Sequence, residues 1–504
     1  MASALMTSGL RRETELSLMW MGGGLLLVSL WLLLITGQIH LACALVFGLP
    51  LLLLAVYDKE SALVWTLVYL ILLGDLRRFV ADIAMPAAFD PLLLVAPAVT
   101  AVLVLPSLLN LKLKESLSKA VLALLVVMFA QVVNPKQGGL SIGLSGVFFY
   151  IVPVMWFWIG RSLGSTAVLH RVIYRVILPL GLAAGILGLC QNFIGFLPYQ
   201  QTWIAAVGKV YTSLYVGSSV RAFGFSVSAA EYATLLELSI ALAVAAYMAS
   251  SRIWIGAVPI LATGLILSGG RGLTIKLVVV LSVLWVVRRG KKLNAVTLAG
   301  MAVLGVLSVA SLSLIAAQFA STADAGRHGG SAAQDALAHQ MGGLAHPFDQ
   351  KYSSAGLHSN MVLTGFMEGV MSPLGHGLGS TTFAARKFDS DSDQGSSELD
   401  FSDMFISLGL VGGVLYLAVA AFGIRAGLRY VRETRLRIGL PVLAILIATL
   451  GGWLIEGQYS TCSIVFFILG SLVHRENRSG ARNSLLVGEA QPNRRSRNAS
   501  NFPC

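Results

Sequence analysis

The sequence predicts an all-α polytopic membrane protein, and three observations carry that prediction. Of 504 residues, 56% are hydrophobic and only 12% are charged, about half the charged share of a soluble chain, which is roughly 25%. The mean hydropathy is +0.78. The apolar residues come in runs long enough to cross ~30 Å of hydrocarbon as helices, which takes roughly 20 residues. They lack the period-two alternation of barrel strands. A chain this apolar cannot cover a water-facing surface, and in lipid the backbone must satisfy its own hydrogen bonds.

About fourteen spans follow from these runs. They cover 16–36, 40–57, 62–75, 91–106, 118–133, 144–160, 173–194, 227–249, 253–269, 272–288, 294–318, 402–424, 437–456 and 460–474. The first follows Arg11 and Arg12 and is long enough to span, so it is read as a transmembrane helix and no cleavable signal peptide is expected. With the N-terminus inside and the spans alternating, every strong basic cluster falls on one side. These are Lys112 to Lys119, Arg161 to Arg175, Arg252, Arg288 to Lys292, Arg425 to Arg437, and the tail from Arg475 to Arg497. The net charge of +12 is therefore dispersed at membrane edges and does not make a nucleic-acid surface. Four scattered cysteines, Cys43, Cys190, Cys462 and Cys504, show no CxxC spacing and suggest neither a disulfide framework nor a zinc site.

The chain divides into an N-terminal block of spans (1–318), a long loop on the outer side (319–401), a C-terminal block (402–474) and a polar tail (475–504) expected to be disordered and cytoplasmic. The long loop, about 80 residues, is of the length that is either functional or unstructured. It carries five of the eight histidines, His328, His339, His346, His358 and His376. Its first part, Ala320 to Ser354, is rich in Gly, Ala and Ser and reads as mobile. Asn360 to Val370 reads as a short amphipathic helix, and Met371 to Ser380 as a chain of turns. The outer side also holds Gly74 to Asp90, read as a loop with two arginines at a helix end, and Phe196 to Arg221.

Arginine on this side runs against the positive-inside rule and needs a reason. Arg77, Arg78, Arg221 and Arg271 all lie there near helix ends. A guanidinium is a permanently charged planar fork suited to phosphate, and glycines beside Arg271 in LSGGRGL let backbone N–H groups approach an anion at a helix start. The four are candidates for binding a lipid pyrophosphate; the alternative is snorkelling, or pairing with Asp75, Asp82 or Glu231. Glu398, Asp400 and Asp403 lead into the 402–424 span as candidate general bases or as acidic caps of that helix. His358 and His376 flank the short loop helix as candidate catalytic histidines or solvated residues. The histidine spacings match no metal-ligand pattern, and no phosphate-binding loop, nucleophile elbow, HExxH or dinucleotide fingerprint occurs. No metal or other cofactor is expected.

In order and sidedness these motifs resemble the O-antigen ligase/polymerase superfamily, the Wzy-type bacterial membrane glycosyltransferases. The elements are Arg221-Ala-Phe-Gly-Phe, Ser268-Gly-Gly-Arg-Gly, the Pro373-Leu-Gly-His-Gly turn and the Gly-Leu-x-Gly part of Phe405 to Leu417. They cover roughly residues 215–425, while the topology matches over the whole chain. The family's arginine before the Pro-x-Gly-x-Gly turn falls here on His358, and its histidine before the Gly-Leu helix falls near Glu398. Those departures, with Asn134 to Gly139 (NPKQGG) and Gly74 to Arg78 (GDLRR), look more like the exopolysaccharide polymerase branch. The resemblance implies a multi-pass protein of the bacterial inner membrane with both termini cytoplasmic. It implies metal-independent, inverting transfer of an undecaprenyl-pyrophosphate-linked oligosaccharide, with a chain-length regulator and a flippase as partners. On it, Arg221, Arg271, Arg77 and Arg78 bind the pyrophosphate, Glu398 is the base and His358 the reserve. A ligase acting on lipid A core and a glycolipid transporter are the competing readings.

Overall fold

The computed structural model describes residues 27–84, 90–109, 111, 113–208, 214–216, 219–249, 251–290, 300, 332–345, 355–383, 385, 399–434 and 437–474. It is 81% helix and 1% strand, so the chain is all-α. The helices are α1 (Ile39–Tyr57), α2 (Lys59–Ala84), α3 (Leu92–Leu108), α4 (Ser116–Gln131), α5 (Leu140–Leu163), α6 (Thr166–Phe193) and α7 (Pro198–Val207). A hairpin of β1 (Tyr215–Val216) and β2 (Ser219–Val220) precedes α8 (Ala229–Met248), α9 (Ile253–Leu267) and α10 (Arg271–Arg288). There follow α11 (Ala332–Ala345), α12 (Ala355–Met371), α13 (Asp400–Glu433), α14 (Gly439–Ala448) and α15 (Tyr459–Ser471). Among the described residues five helices, α1, α5, α6, α8 and α13, are long and apolar enough to cross a membrane. Five more, α3, α4, α9, α14 and α15, are apolar but shorter.

The bundle is built around α8. The apolar window of α8 is 89% buried, against 28% for α1, so α8 is central and α1 peripheral. The sequence of α8, with seven alanines among its twenty residues, lets α6, α9, α10 and α14 pack close around it. α5 and α15 pack with their backbones in close approach. A Cβ at Gly160 would lie 2.0 Å from the Phe467 carbonyl oxygen, and one at Gly470 would lie 1.9 Å from that of Phe157. Only glycine at both positions permits this backbone approach.

Three expectations need correcting. Gly74 to Ala84 is not a loop: α2 runs through it, so Arg77 and Arg78 sit in the body of a helix. The 402–424 span is not one helix. Within α13 the chain breaks at Gly409 (φ 70°, ψ −167°), where the carbonyl of Pro373 and the N–H of Gly375 occupy the space a Cβ would need. After the break α13 continues to Glu433, well past residue 424. Within the stretch read as mobile, residues 332–345 form the helix α11. The short loop helix is present as α12 and is longer than 360–370. Most of the 294–318 span, the start of the first span and the 475–504 tail lie outside the described residues.

Candidate functional site

The turn between α9 and α10 is Ser268-Gly269-Gly270, with Gly269 in the left-handed region (φ 73°). Arg221, just after β2, reaches over it and donates from Nε and Nη2 to the Ser268 carbonyl at 3.1 and 2.9 Å. Arg271, the first residue of α10, places Nη2 3.2 Å from Nε2 of His339 on α11. A guanidinium only donates, so His339 accepts through an unprotonated Nε2. Its own acidity agrees: partial burial, then the charges of Arg271 and Arg221, push the imidazole pKa down to about 4, keeping it neutral. A Cβ on Gly269 would lie 3.8 Å from both Arg221 Nε and the His339 ring, so the three side chains surround one turn at a helix N-terminus. α11 is seated beside them by Ala333 and Ala336 against Leu267, and by buried Gln340, whose amide donates to Thr274 of α10 at 3.4 Å.

Arg78 belongs to the interior. It is 1% exposed. Its guanidinium carbon lies 3.8 Å from the Phe223 ring centroid and 4.8 Å from that of Trp203. Nη2 donates to the carbonyls of Ser226 and Val227 at 2.7 and 3.1 Å. Arg78 thus holds from below the same loop that carries Arg221. Arg77 makes an ion pair with Asp90 at 2.6 Å. The sequence groups four arginines; the structure brings Arg221 and Arg271 to one turn and gives Arg77 and Arg78 other surroundings.

A second polar assembly gathers at the N-terminal ends of α13 and α15. Buried Asp400 accepts from the hydroxyl of Tyr416 and the backbone N–H groups of Trp453 and Leu454, and Asp403 is equally buried. Neither is a water-facing cap. Glu231, near the start of α8, accepts from Ser460 N and Oγ at 3.0 and 2.6 Å and from Val227 N at 3.1 Å. The Pro373–Gly377 turn seats in the break of α13: His376 N donates to Ile406 O, Gly377 N to Ser407 O, and Leu410 N to Pro373 O. Its far side receives the other sequence motif. Gln131 donates to Leu374 O at 2.6 Å, Asn134 to Gly375 O at 3.3 Å, and Gly379 N donates to Gln137 Oε1 at 3.3 Å. NPKQGG and the Pro-x-Gly-x-Gly turn are therefore two halves of one joint.

His376 Nε2 lies 2.8 Å from Glu368 Oε1 on α12. His358 is half-buried near the start of α12, a helix that packs on the opening segment of α13. Glu398 lies outside the described residues. Sequence reasoning counted His339 only as one of five loop histidines. The helical spacing of Ala333, Ala336 and Gln340 was the signal that would have put it on a docked face. The ion pair of Glu237 on α8 and Lys276 on α10, 3.1 Å apart with Glu237 wholly buried, was missed as well. It is hidden inside two apolar runs. The described residues contain no group of three or more His, Cys, Asp or Glu side chains placed to hold a metal ion. No protein-family model matches the chain, and no curated protein matches it.

Proposed function

We propose that the chain is a membrane glycosyltransferase that joins oligosaccharide units carried on undecaprenyl pyrophosphate, working as a polymerase at the periplasmic face of a bacterial inner membrane. The fourteen-span topology, the periplasmic placement of the 319–401 loop and the cytoplasmic termini belong to the same proposal. The observation that carries it is the meeting of Arg221 and Arg271 at one glycine turn and helix start. Two permanent charges, backbone N–H groups and a helix N-terminus form a site for a di-anion.

In this mechanism the acceptor hydroxyl oxygen attacks the anomeric carbon. The bond from that carbon to the pyrophosphate oxygen breaks, its electron pair stays on the pyrophosphate, and the configuration inverts. The hydroxyl proton passes to a carboxylate, Glu398 in this assignment, with His358 in reserve. Arg221 and Arg271 exchange their present partners, Ser268 O and His339 Nε2, for phosphate oxygens. Each such donor is worth on the order of 3 kcal/mol in the transition state. His339 holds the Arg271 side chain at the turn until the phosphate takes its place, and so acts as a positioning residue.

The test uses the purified protein and a lipid-pyrophosphate-linked oligosaccharide. A ladder of longer glycans formed without lipid A, and reduced at least a hundredfold in Arg221→Ala and Arg271→Ala, is the expected result. Full activity in both variants overturns the arginine site. A ligase is the second reading, favoured by His339: the ligases of this family lean on a loop histidine. It predicts product only when lipid A core is supplied. Movement of intact glycolipid across vesicles without any bond formation would instead point to a transporter working through the Glu237–Lys276 pair.

A further inference from the structure

The longer segment of α13 carries a groove that the proposed glycosyl transfer does not use. It is an open groove of about 670 Å³, within the roughly 300–1,000 Å³ of sites that hold small molecules. Leu417, Ala421, Ile424 and Leu428 line its floor, spaced i, i+4, i+7 and i+11, so they form one stripe of the helix. Phe401 and Leu450 stand at its upper end, where the Phe401 ring packs against Tyr416. At the lower end the lining changes to Arg425, Arg429 and Arg432, again spaced i, i+4, i+7. All three arginines are exposed. Among the described residues none has a carboxylate within ion-pair distance or a hydrogen-bond acceptor. Glu433, on the same turn, is exposed and makes no ion pair with them among those residues.

The lining residues from Leu417 to Arg432 span roughly 22 Å along the helix. That is half the ~40–45 Å of a bilayer counted with its headgroups. An acyl chain therefore fits the apolar stripe when a headgroup lies at the arginines. The arginine fork matches a phosphate, and a cluster of guanidinium groups just beyond an apolar helix face discriminates by charge. We propose that this groove is a specific site for an anionic diacyl phospholipid, one acyl chain along Leu417–Leu428 and the phosphate on Arg425, Arg429 and Arg432. The arginine end of the site lies at the far end of α13 from the Asp400 assembly, which the apolar end adjoins through Phe401 and Tyr416, and the proposal stands independently of the glycosyltransferase reading.

Native mass spectrometry of the full chain in a neutral detergent tests it. The probes are dioleoyl phosphatidylglycerol, dioleoyl phosphatidylethanolamine and undecaprenyl phosphate, singly and in competition. The expected result is one retained phosphatidylglycerol, bound roughly tenfold or more tightly than phosphatidylethanolamine, with affinity falling about fivefold for each arginine changed in Arg425→Gln and Arg429→Gln. Ala421→Trp fills the groove with every arginine in place and is expected to abolish the adduct. Equal retention of the two phospholipids overturns the proposal. So does an unchanged adduct in Ala421→Trp, which would mean lipid gathered loosely on the arginines alone. Displacement of phosphatidylglycerol by undecaprenyl phosphate would reassign the groove to the carrier lipid and also overturn it.

Discussion

Arg78 and Arg221 are one residue type put to two uses within a single loop. Arg78 is packed between Phe223 and Trp203 and holds two carbonyls of the loop; Arg221 reaches out of the same loop to Ser268. Arg78→Ala removes a buried cation–π contact and charged hydrogen bonds, together about 2–4 kcal/mol. It is expected to lower the melting midpoint in detergent and to weaken activity only through Arg221. Arg221→Ala is expected to leave the midpoint nearly unchanged, and paired melting curves decide. His339 gives a pH dependence whose sign follows from its depressed acidity. Its pKa is about 4 when α11 is docked, against 6.5 ordinarily. Between those values the undocked helix binds more protons, so docking is complete above about pH 6.5 and weakens as the pH falls toward 4. Hydrogen exchange across 332–345 should therefore speed up from pH 7 to pH 5 relative to a reference helix such as α8, and His339→Gln should remove that difference.

At the scale of elements, the break in α13 is the feature most exposed to a single substitution. Gly409→Ala puts a Cβ onto the Pro373 carbonyl and the Gly375 N–H, in a backbone region that favours glycine. The expected outcome is expulsion of the 373–377 turn. Limited proteolysis should then cut between Met371 and Phe383, with the wild-type chain expected to resist there. Much of this element level was legible in advance, because long apolar runs report helices directly: α1, α8 and α10 fall within a few residues of the runs that announce them. The break was not legible. The FISLGLVGG stretch has continuous apolar character, and Gly409 is one glycine among 52. Only the partner in the turn, thirty-odd residues earlier, makes the break necessary. The same limit explains the arginines. Sequence position put all four near helix ends, but aromatic packing around Arg78 and the Asp90 partner of Arg77 are tertiary facts. His339 lay in a stretch whose Gly/Ala content masked a helical face.

For the whole molecule, the buried ion pair between α8 and α10 ties the central helix to the one that begins with Arg271. Lys276→Met leaves Glu237 uncompensated at 0% exposure. That costs about 3 kcal/mol, the low end for broken buried pairs, because Lys276 is partly exposed. Glu237→Gln with Lys276→Met is expected to recover most of the loss, and a double-mutant cycle on unfolding measures the coupling. The joint at Gly409 has a consequence for how the chain is made. The carbonyls of Ile406 and Ser407 and the N–H of Leu410 are satisfied by backbone from the turn at 373–377, which leaves the ribosome first. Until residues near 410 emerge, the turn has no seat, and until the turn closes on them, that stretch of helix keeps polar backbone groups unmet. Folding of this segment is thus a two-part assembly in which the turn is made before its seat. A one-residue insertion between Pro373 and Gly377 should stall it, even though neither segment would lose a single apolar side chain.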